Sequence, residues 1–98
     1  MLSEQQKTVL LWLLRGVRML EARNDEAARA VLRDGIYWAP QVGNKERENC
    51  WRASLCRTLA RLEQRRLITR VRGRKNARTV RVMFTDAGRE LAESISGN

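Results

Sequence analysis

Apolar residues recur every three to four positions through the first quarter of the chain, which is the spacing of one face of an α-helix. Ser3 and Gln6 precede this face with the spacing of a capping box, in which each side chain accepts a hydrogen bond from the backbone N–H of the other residue. Together these signals predict a first helix over residues 4–23. The apolar face consists of Leu10, Leu13, Leu14, Val17 and Leu20.

Val9, Trp12 and Met19 give the same helix a second apolar stripe. A domain of this size has little interior with which to cover two stripes. Either a partner chain or the C-terminal helix covers the second stripe, or both stripes form one wide core face. The sequence does not distinguish these alternatives.

The next segment predicts two short elements. Asp25 is a favourable N-cap for a second helix over residues 26–33, and Gly35 is a suitable residue to end it. Residues 36–38 are β-branched and aromatic, which favours a short strand. The inward-facing residues of the second helix are expected to be Ala27, Ala30 and Val31.

A long basic helix is predicted over residues 45–66, with one apolar stripe and arginine on its other faces. About twenty residues are long for a helix in a small domain. The segment is alternatively a short helix, a turn near Asn49 and a second helix from Ala53. The apolar stripe is Trp51, Leu55, Leu59 and Leu62, and the arginines are Arg47, Arg52, Arg57, Arg61 and Arg65.

Two segments of alternating polarity then predict a β-hairpin over residues 67–84, with a turn rich in arginine, lysine and asparagine. Thr85 follows as the N-cap of a last helix over residues 86–95. The predicted fold class is mainly α with a small β-hairpin, in which residues 1–98 form one winged helix-turn-helix domain. The inward-facing residues of the last helix are expected to be Leu91, Ala92 and Ile95.

The formal net charge of +9 is concentrated in one segment. Residues 45–81 contain 13 Lys and Arg against three acids, whereas the remaining 61 residues contain seven against eight. Eleven of those 13 cations are arginine, whose planar guanidinium suits phosphate and guanine contacts. Because a segment of this charge repels itself without a partner, the asymmetry points to a polyanion, and most directly to double-stranded DNA.

Two motifs resemble those of MarR-like winged-helix regulators. Residues 54–68, SLCRTLARLEQRRLI, resemble the recognition helix and following strand of that family, and residues 82–89, VMFTDAGR, resemble its Leu-Thr-x-x-Gly junction. Three helices followed by a basic hairpin already describe a winged helix, in which the third helix is expected to enter the major groove of DNA and the hairpin, or wing, to touch the flanking minor groove or phosphates. That family usually has glycine where Arg66 stands, which predicts a non-glycine residue in a turn that glycine adopts more easily.

The candidate DNA-binding residues lie on the third helix and the wing. The resemblance implies that Ser54, Cys56 and Arg57 face DNA. Small side chains beside arginine also let a helix approach the groove closely, and arginine can bind guanine through two hydrogen bonds. Glu63 is expected to brace a neighbouring arginine rather than to read a base. The full set is Arg47, Asn49, Arg52, Ser54, Cys56, Arg57 and Arg61 on the helix, and Arg72, Arg74, Lys75 and Arg78 on the wing.

Other kinds of site are not expected. The chain has no histidine, and Cys50 and Cys56 lie on different faces of a helix, so they neither pair nor share a metal. We therefore expect no enzyme activity, no cofactor, no metal and no small-molecule effector. Two unpaired thiols favour a reducing cytoplasm. The apolar run at residues 9–14 is too short to span a membrane.

The predicted function is sequence-specific binding of double-stranded DNA by a prokaryotic or phage-type transcriptional regulator. A homodimer, formed through the first helix and/or the C-terminal helix, would place two recognition helices on two half-sites. The alternatives are a winged-helix module for protein interaction or assembly, and a non-specific nucleic-acid binder, including an RNA binder. A single-strand binder would expose aromatic residues, but Trp12, Trp38 and Trp51 lie on or near apolar stripes and are expected in the core.

Overall fold

The computed structural model describes residues 2–38, 45–73 and 79–97, except the side chains of residues 45–54, 79 and 80. These ranges are mostly helical and contain four helices and three strands. In chain order the elements are α1 (Glu4–Arg23), α2 (Glu26–Asp34), β1 (Ile36–Tyr37), α3 (Lys45–Gln64), β2 (Ile68–Arg72), β3 (Thr79–Phe84) and α4 (Asp86–Ser96).

Side chains at the helix starts bind backbone N–H groups that have no partner inside the helix. At α1, Ser3 Oγ accepts from the N–H of Gln6 and the Gln6 side chain accepts from the N–H of Ser3, each at 3.1 Å, so the capping box is confirmed. Asp25 caps α2 by accepting from the N–H of Ala28 at 2.7 Å, and Thr85 caps α4. The predicted bounds of α1 are confirmed, and α2 and α4 each extend one residue beyond prediction.

α3 is one continuous helix, so the alternative with a turn near Asn49 is wrong. It ends two residues before the predicted end because Arg66 adopts a left-handed conformation, with φ of 60°. The N–H of Arg66 donates to the carbonyl of Glu63 at 2.9 Å, and the N–H of Leu67 donates to that of Leu62 at 3.0 Å. In this Schellman arrangement glycine usually holds the position of Arg66. The prediction of a non-glycine residue in a glycine-favouring turn is confirmed.

The three strands form one antiparallel sheet in the order β1-β3-β2. The predicted hairpin is confirmed, since β2 pairs with β3 and places Ile68 opposite Phe84 at its base. The predicted short strand is also present as β1, which pairs Ile36 with Val82 on the other side of β3. The hairpin turn, with Arg74, Lys75 and Arg78, lies outside the described residues.

Leucine side chains of α1 and α3 form the centre of the core, and β2, β3 and α4 enclose it. The expectation for α2 is wrong for Ala27, which is exposed, whereas Ala28 is fully buried; Ala30 and Val31 are partly buried. The inward stripe of α2 runs through Ala28, Val31 and Leu32, at the spacing of one helix face. On α4, Ala92 is buried, and Leu91 and Ile95 pack against the core as predicted. The core consists of Val9, Leu10, Leu13, Leu14, Leu55, Leu59, Leu62, Leu67, Ile68, Val82 and Ala92.

The second apolar stripe of α1 is divided between core and surface. Val9 is buried, whereas Trp12 and Met19 are 39% and 63% exposed. The expectation that Trp12 lies in the core is therefore wrong; it packs edge-to-face on the partly buried Trp38, with ring centroids 5.0 Å apart. α4 packs against α1 but leaves Met19 exposed, so neither the C-terminal helix nor one wide core face accounts for the whole stripe.

The start of α4 touches the turn that joins α3 to β2. The N–H of Thr85 donates to the carbonyl of Leu67 at 3.1 Å, and its hydroxyl donates to the carbonyl of Arg66 at 2.6 Å. Gly88 lies so close that a Cβ there would overlap the Leu67 carbonyl oxygen. A glycine three residues after the cap is therefore required for α4 to reach this turn.

Replacing Arg66 with glycine is expected to raise the free energy of unfolding by about 1 kcal/mol. A side chain in the left-handed region costs roughly 1–2 kcal/mol, and the greater freedom of glycine in the unfolded chain offsets part of the gain. Urea unfolding measures the change. Arg66→Ala is the matched control, since it removes the same side chain but keeps the Cβ. Equal stability of the two variants would contradict backbone strain at this position.

Candidate nucleic-acid interface

The outward face of α3 carries three of the predicted DNA-binding residues. Cys56, Arg57 and Arg61 are all exposed, and they alternate with the buried Leu55 and Leu59 on the opposite side. Arg57 and Arg61 are one helical turn apart, about 6 Å along the axis. The structure thus brings these two guanidinium groups together on one surface.

Arg57 and Arg61 have no hydrogen-bond or ion-pair partner among the residues that the structure describes. Several arginines of the other helices, by contrast, are paired with carboxylates. No described carboxylate therefore neutralises the charge of this part of α3. The paired arginines are Arg23 with Asp25 at 3.1 Å, Arg33 with Asp34 at 3.2 Å, and Arg89 with Glu21 at 2.8 Å.

Polar contacts with the first turn of α1 orient α3. The Thr58 hydroxyl donates to Gln5 Oε1 at 2.8 Å, and Arg65 Nη1 donates to Gln6 Oε1 at 3.4 Å. Thr58 and Gln6 are the buried polar residues of the described part of the core. Because a buried polar group needs its partner, these contacts resist rotation of α3 about its axis and keep Arg57 facing outward.

Glu63 joins α3 to the edge strand β2. Its carboxylate accepts from Arg70 Nη2 at 2.9 Å, from Arg70 Nε at 3.2 Å and from the Arg70 backbone N–H at 3.1 Å. Arg72 Nη2 lies further away, at 3.6 Å. The predicted bracing of an arginine by Glu63 is confirmed. The hydrogen bonds from the Arg70 guanidinium, then from its backbone N–H, and the charges of both arginines hold the pKa of Glu63 below its ordinary value, against a rise caused by burial.

The two arginines of β2 differ in exposure. The side chain of Arg72, a predicted DNA-binding residue, is 52% exposed, whereas that of Arg70 is only 11% exposed against α3. Arg81 is also held inside the fold, where its Nη1 donates to the carbonyl of Gly35 at 3.0 Å. The sequence alone does not show which of these arginines bond within the fold and which is exposed. Strand alternation gives no signal here, because Arg70 and Arg72 share one face of β2.

The remaining predicted site residues lie outside what the structure describes. The backbone of α3 includes four of them, but their side chains are not described, and three more belong to the hairpin turn. The set is Arg47, Asn49, Arg52 and Ser54 on α3, and Arg74, Lys75 and Arg78 in the turn.

The described residues contain neither a metal-binding cluster nor a membrane-spanning helix. No group of three or more Cys, Asp or Glu side chains there could hold a metal ion, and Cys56 is a free, exposed thiol. None of the described helices has the length and apolar character needed to cross a membrane.

Comparison with known proteins gives no match: no family model, no curated protein and no solved structure matches this chain.

Glu63→Gln is expected to lower the free energy of unfolding at neutral pH by no more than about 1 kcal/mol, the range of partly exposed ion pairs. Since the folded chain lowers the pKa of Glu63 from 4.5, the contribution of the carboxylate is present above that value and is lost as the pH falls through the lowered one.

Urea unfolding at a series of pH values tests this prediction. The stability difference between wild type and variant should shrink in acid. The other carboxylates titrate in both proteins and cancel in the comparison. A difference that does not change with pH would count against the ion pair.

Proposed function

We propose that this protein binds double-stranded DNA, with α3 in the major groove and the β2–β3 hairpin as a wing on the flanking minor groove or phosphates. The observation that carries the proposal is the outward face of α3, where Arg57 and Arg61 are exposed and have no partner in the described part of the chain. Cations without a described carboxylate partner attract phosphates, and the counterions of those phosphates are released on binding.

The order and connection of the elements support this arrangement. α3 is followed after a tight turn by an antiparallel hairpin, and Glu63 ties the two together. A winged helix places a helix and a basic hairpin on one duplex in this way. The major groove is about 12 Å wide and admits a helix. The exposed Arg72 extends the cationic surface from α3 onto the hairpin.

We propose further that binding is sequence-specific and non-catalytic, and that it serves transcriptional regulation of a prokaryotic or phage type in the cytoplasm. Arginine can discriminate guanine through paired hydrogen bonds, and Cys56 is a small neighbour that permits close approach. Homodimerisation is part of this proposal. The exposed Trp12 and Met19 support α1 as the contact surface, since exposed apolar residues favour association.

Arg61→Ala is expected to weaken binding to a random-sequence duplex and to reduce the slope of log affinity against log salt by about 1, the value for one lost phosphate contact. Arg15→Ala is the matched control. Arg15 is likewise an exposed helical arginine without a partner among the described residues, and the substitution changes the net charge equally. Fluorescence anisotropy over a salt series measures both quantities.

Arg15 lies one helical turn from both Trp12 and Met19 on α1, beside the proposed dimer surface. Sedimentation equilibrium therefore first compares the oligomeric state of Arg15→Ala with that of the wild type. With the same oligomeric state, the control should keep the wild-type salt slope, because α1 makes no DNA contact in this arrangement. Equal effects of Arg61→Ala and Arg15→Ala would show that only net charge matters. No duplex binding by the wild type at low salt would refute the proposal.

Selection of bound sequences from a random duplex pool tests specificity and dimerisation together. Two recognition helices related by a two-fold axis are expected to select a palindromic consensus, with half-sites about one helical turn of DNA apart. A selected pool without consensus would identify a non-specific binder instead. Arg57→Ala is expected to lose preference at one position of each half-site, whereas Arg15→Ala should select the wild-type consensus.

A further inference from the structure

Glu63 is the only acid between residues 49 and 85, a segment that contains eleven Lys and Arg. On charge alone, a carboxylate in the middle of a phosphate-binding surface opposes binding. Its contacts within the fold indicate a different role.

The carboxylate of Glu63 holds both the backbone and the side chain of β2. β2 lies at the edge of the sheet, and the Arg70 N–H, which donates to Glu63, is on the edge away from β3. The same carboxylate accepts two bonds from the Arg70 guanidinium. Since Glu63 is in the last turn of α3, these three bonds fix the middle of β2 to the end of the helix.

The division between Arg70 and Arg72 follows from these contacts. Arg70 is nearly buried and makes its bonds inside the fold, so its charge serves to hold β2 in place. Arg72 is half-exposed, and its 3.6 Å separation from Glu63 is too long for a strong hydrogen bond. Arg72 can therefore turn to a phosphate while Arg70 keeps the hairpin attached.

We propose that Glu63 is a positioning residue for DNA binding, which fixes the wing at one angle to α3 so that Arg57, Arg61 and Arg72 meet the same duplex together. This inference rests on the proposed DNA binding. Two contact regions on a rigid frame bind without a further loss of conformational freedom, whereas a loosely attached wing adds that cost to each binding event.

The test compares Glu63→Gln with Glu90→Gln in the full chain, by anisotropy with the same duplex over a salt series. Glu90 is an exposed acid of α4 without a partner among the described residues. Each substitution removes one negative charge, so both raise the net charge by one. If only net charge mattered, both variants would bind the duplex more tightly than the wild type. If Glu63 positions the wing, Glu63→Gln should bind about eightfold more weakly than wild type at 0.1 M salt. Its slope of log affinity against log salt should be smaller by about 1, as for one lost phosphate contact.

Glu63→Asp separates charge from geometry, because it keeps the carboxylate but shortens its reach by one methylene. It is expected to bind more weakly than wild type at unchanged net charge. Amide hydrogen exchange at Arg70, measured without DNA, should be faster in both Glu63 variants, while exchange in the α1 core stays slow if the fold is intact.

The outcomes are distinguishable. The positioning role is overturned if the wild type binds and Glu63→Gln binds as tightly as Glu90→Gln. It is also overturned if Glu63→Asp binds as tightly as the wild type. DNA binding itself stands in both cases. Absence of wild-type binding refutes the proposed function itself. Faster Arg70 exchange together with weaker binding by both Glu63 variants supports the inference.

Discussion

The contact of Gly88 with the carbonyl of Leu67 determines how the hairpin is attached to the helices. It brings the start of α4 against the turn between α3 and β2, where Thr85 also binds the carbonyls of Arg66 and Leu67. Both ends of the hairpin are thereby held at one place, since Leu67 precedes β2 and Thr85 follows β3. A side chain at position 88 would separate α4 from this turn. The hairpin would then keep its attachment to α3 through Glu63 and Arg70 but lose its attachment to α4.

The same turn contains one of the two described non-glycine residues with a left-handed backbone; the other is Asn24, a residue type that tolerates this conformation better. Arg66 is left-handed although it has a side chain, and the Schellman bonds around it direct the chain from α3 into β2. Strain of this kind persists where the surrounding structure over-determines it. Here the buried Leu62 and Leu67 supply that constraint, because both belong to the core. Because the chain changes direction sharply here, Glu63 at the end of α3 reaches Arg70 on β2.

The pairing of arginines with carboxylates distinguishes α3 from the other helices more clearly than the distribution of charge along the sequence does. Carboxylates neutralise arginines of α1, α2 and α4, for example Glu21 with Arg89, whereas Arg57 and Arg61 on α3 have no such partner among the described residues. Within the basic segment, Arg70 and Arg81 are engaged by the fold and Arg72 is half-exposed. The proposed DNA surface is therefore smaller than the basic segment, because some of its arginines hold the hairpin in position.

The sequence by itself determined the elements that depend on local interactions. The capping residues Ser3, Asp25 and Thr85 act on N–H groups within the next three positions, so these helix starts were predictable. The non-glycine turn at Arg66 was predicted only through the resemblance to MarR-like regulators. The alternation of β2 and β3 likewise predicted the hairpin, because side chains on a strand alternate between faces whatever the partner.

Only the tertiary structure decided which side chains those elements bury or pair. Ala28 rather than Ala27 faces the core, and Trp12 remains 39% exposed, because burial depends on where neighbouring elements lie. The choice of Arg70 over Arg72 as the main partner of Glu63 has the same origin. Both arginines lie on one face of β2 seven and nine residues after Glu63, and only the angle between strand and helix brings Arg70 within bonding distance.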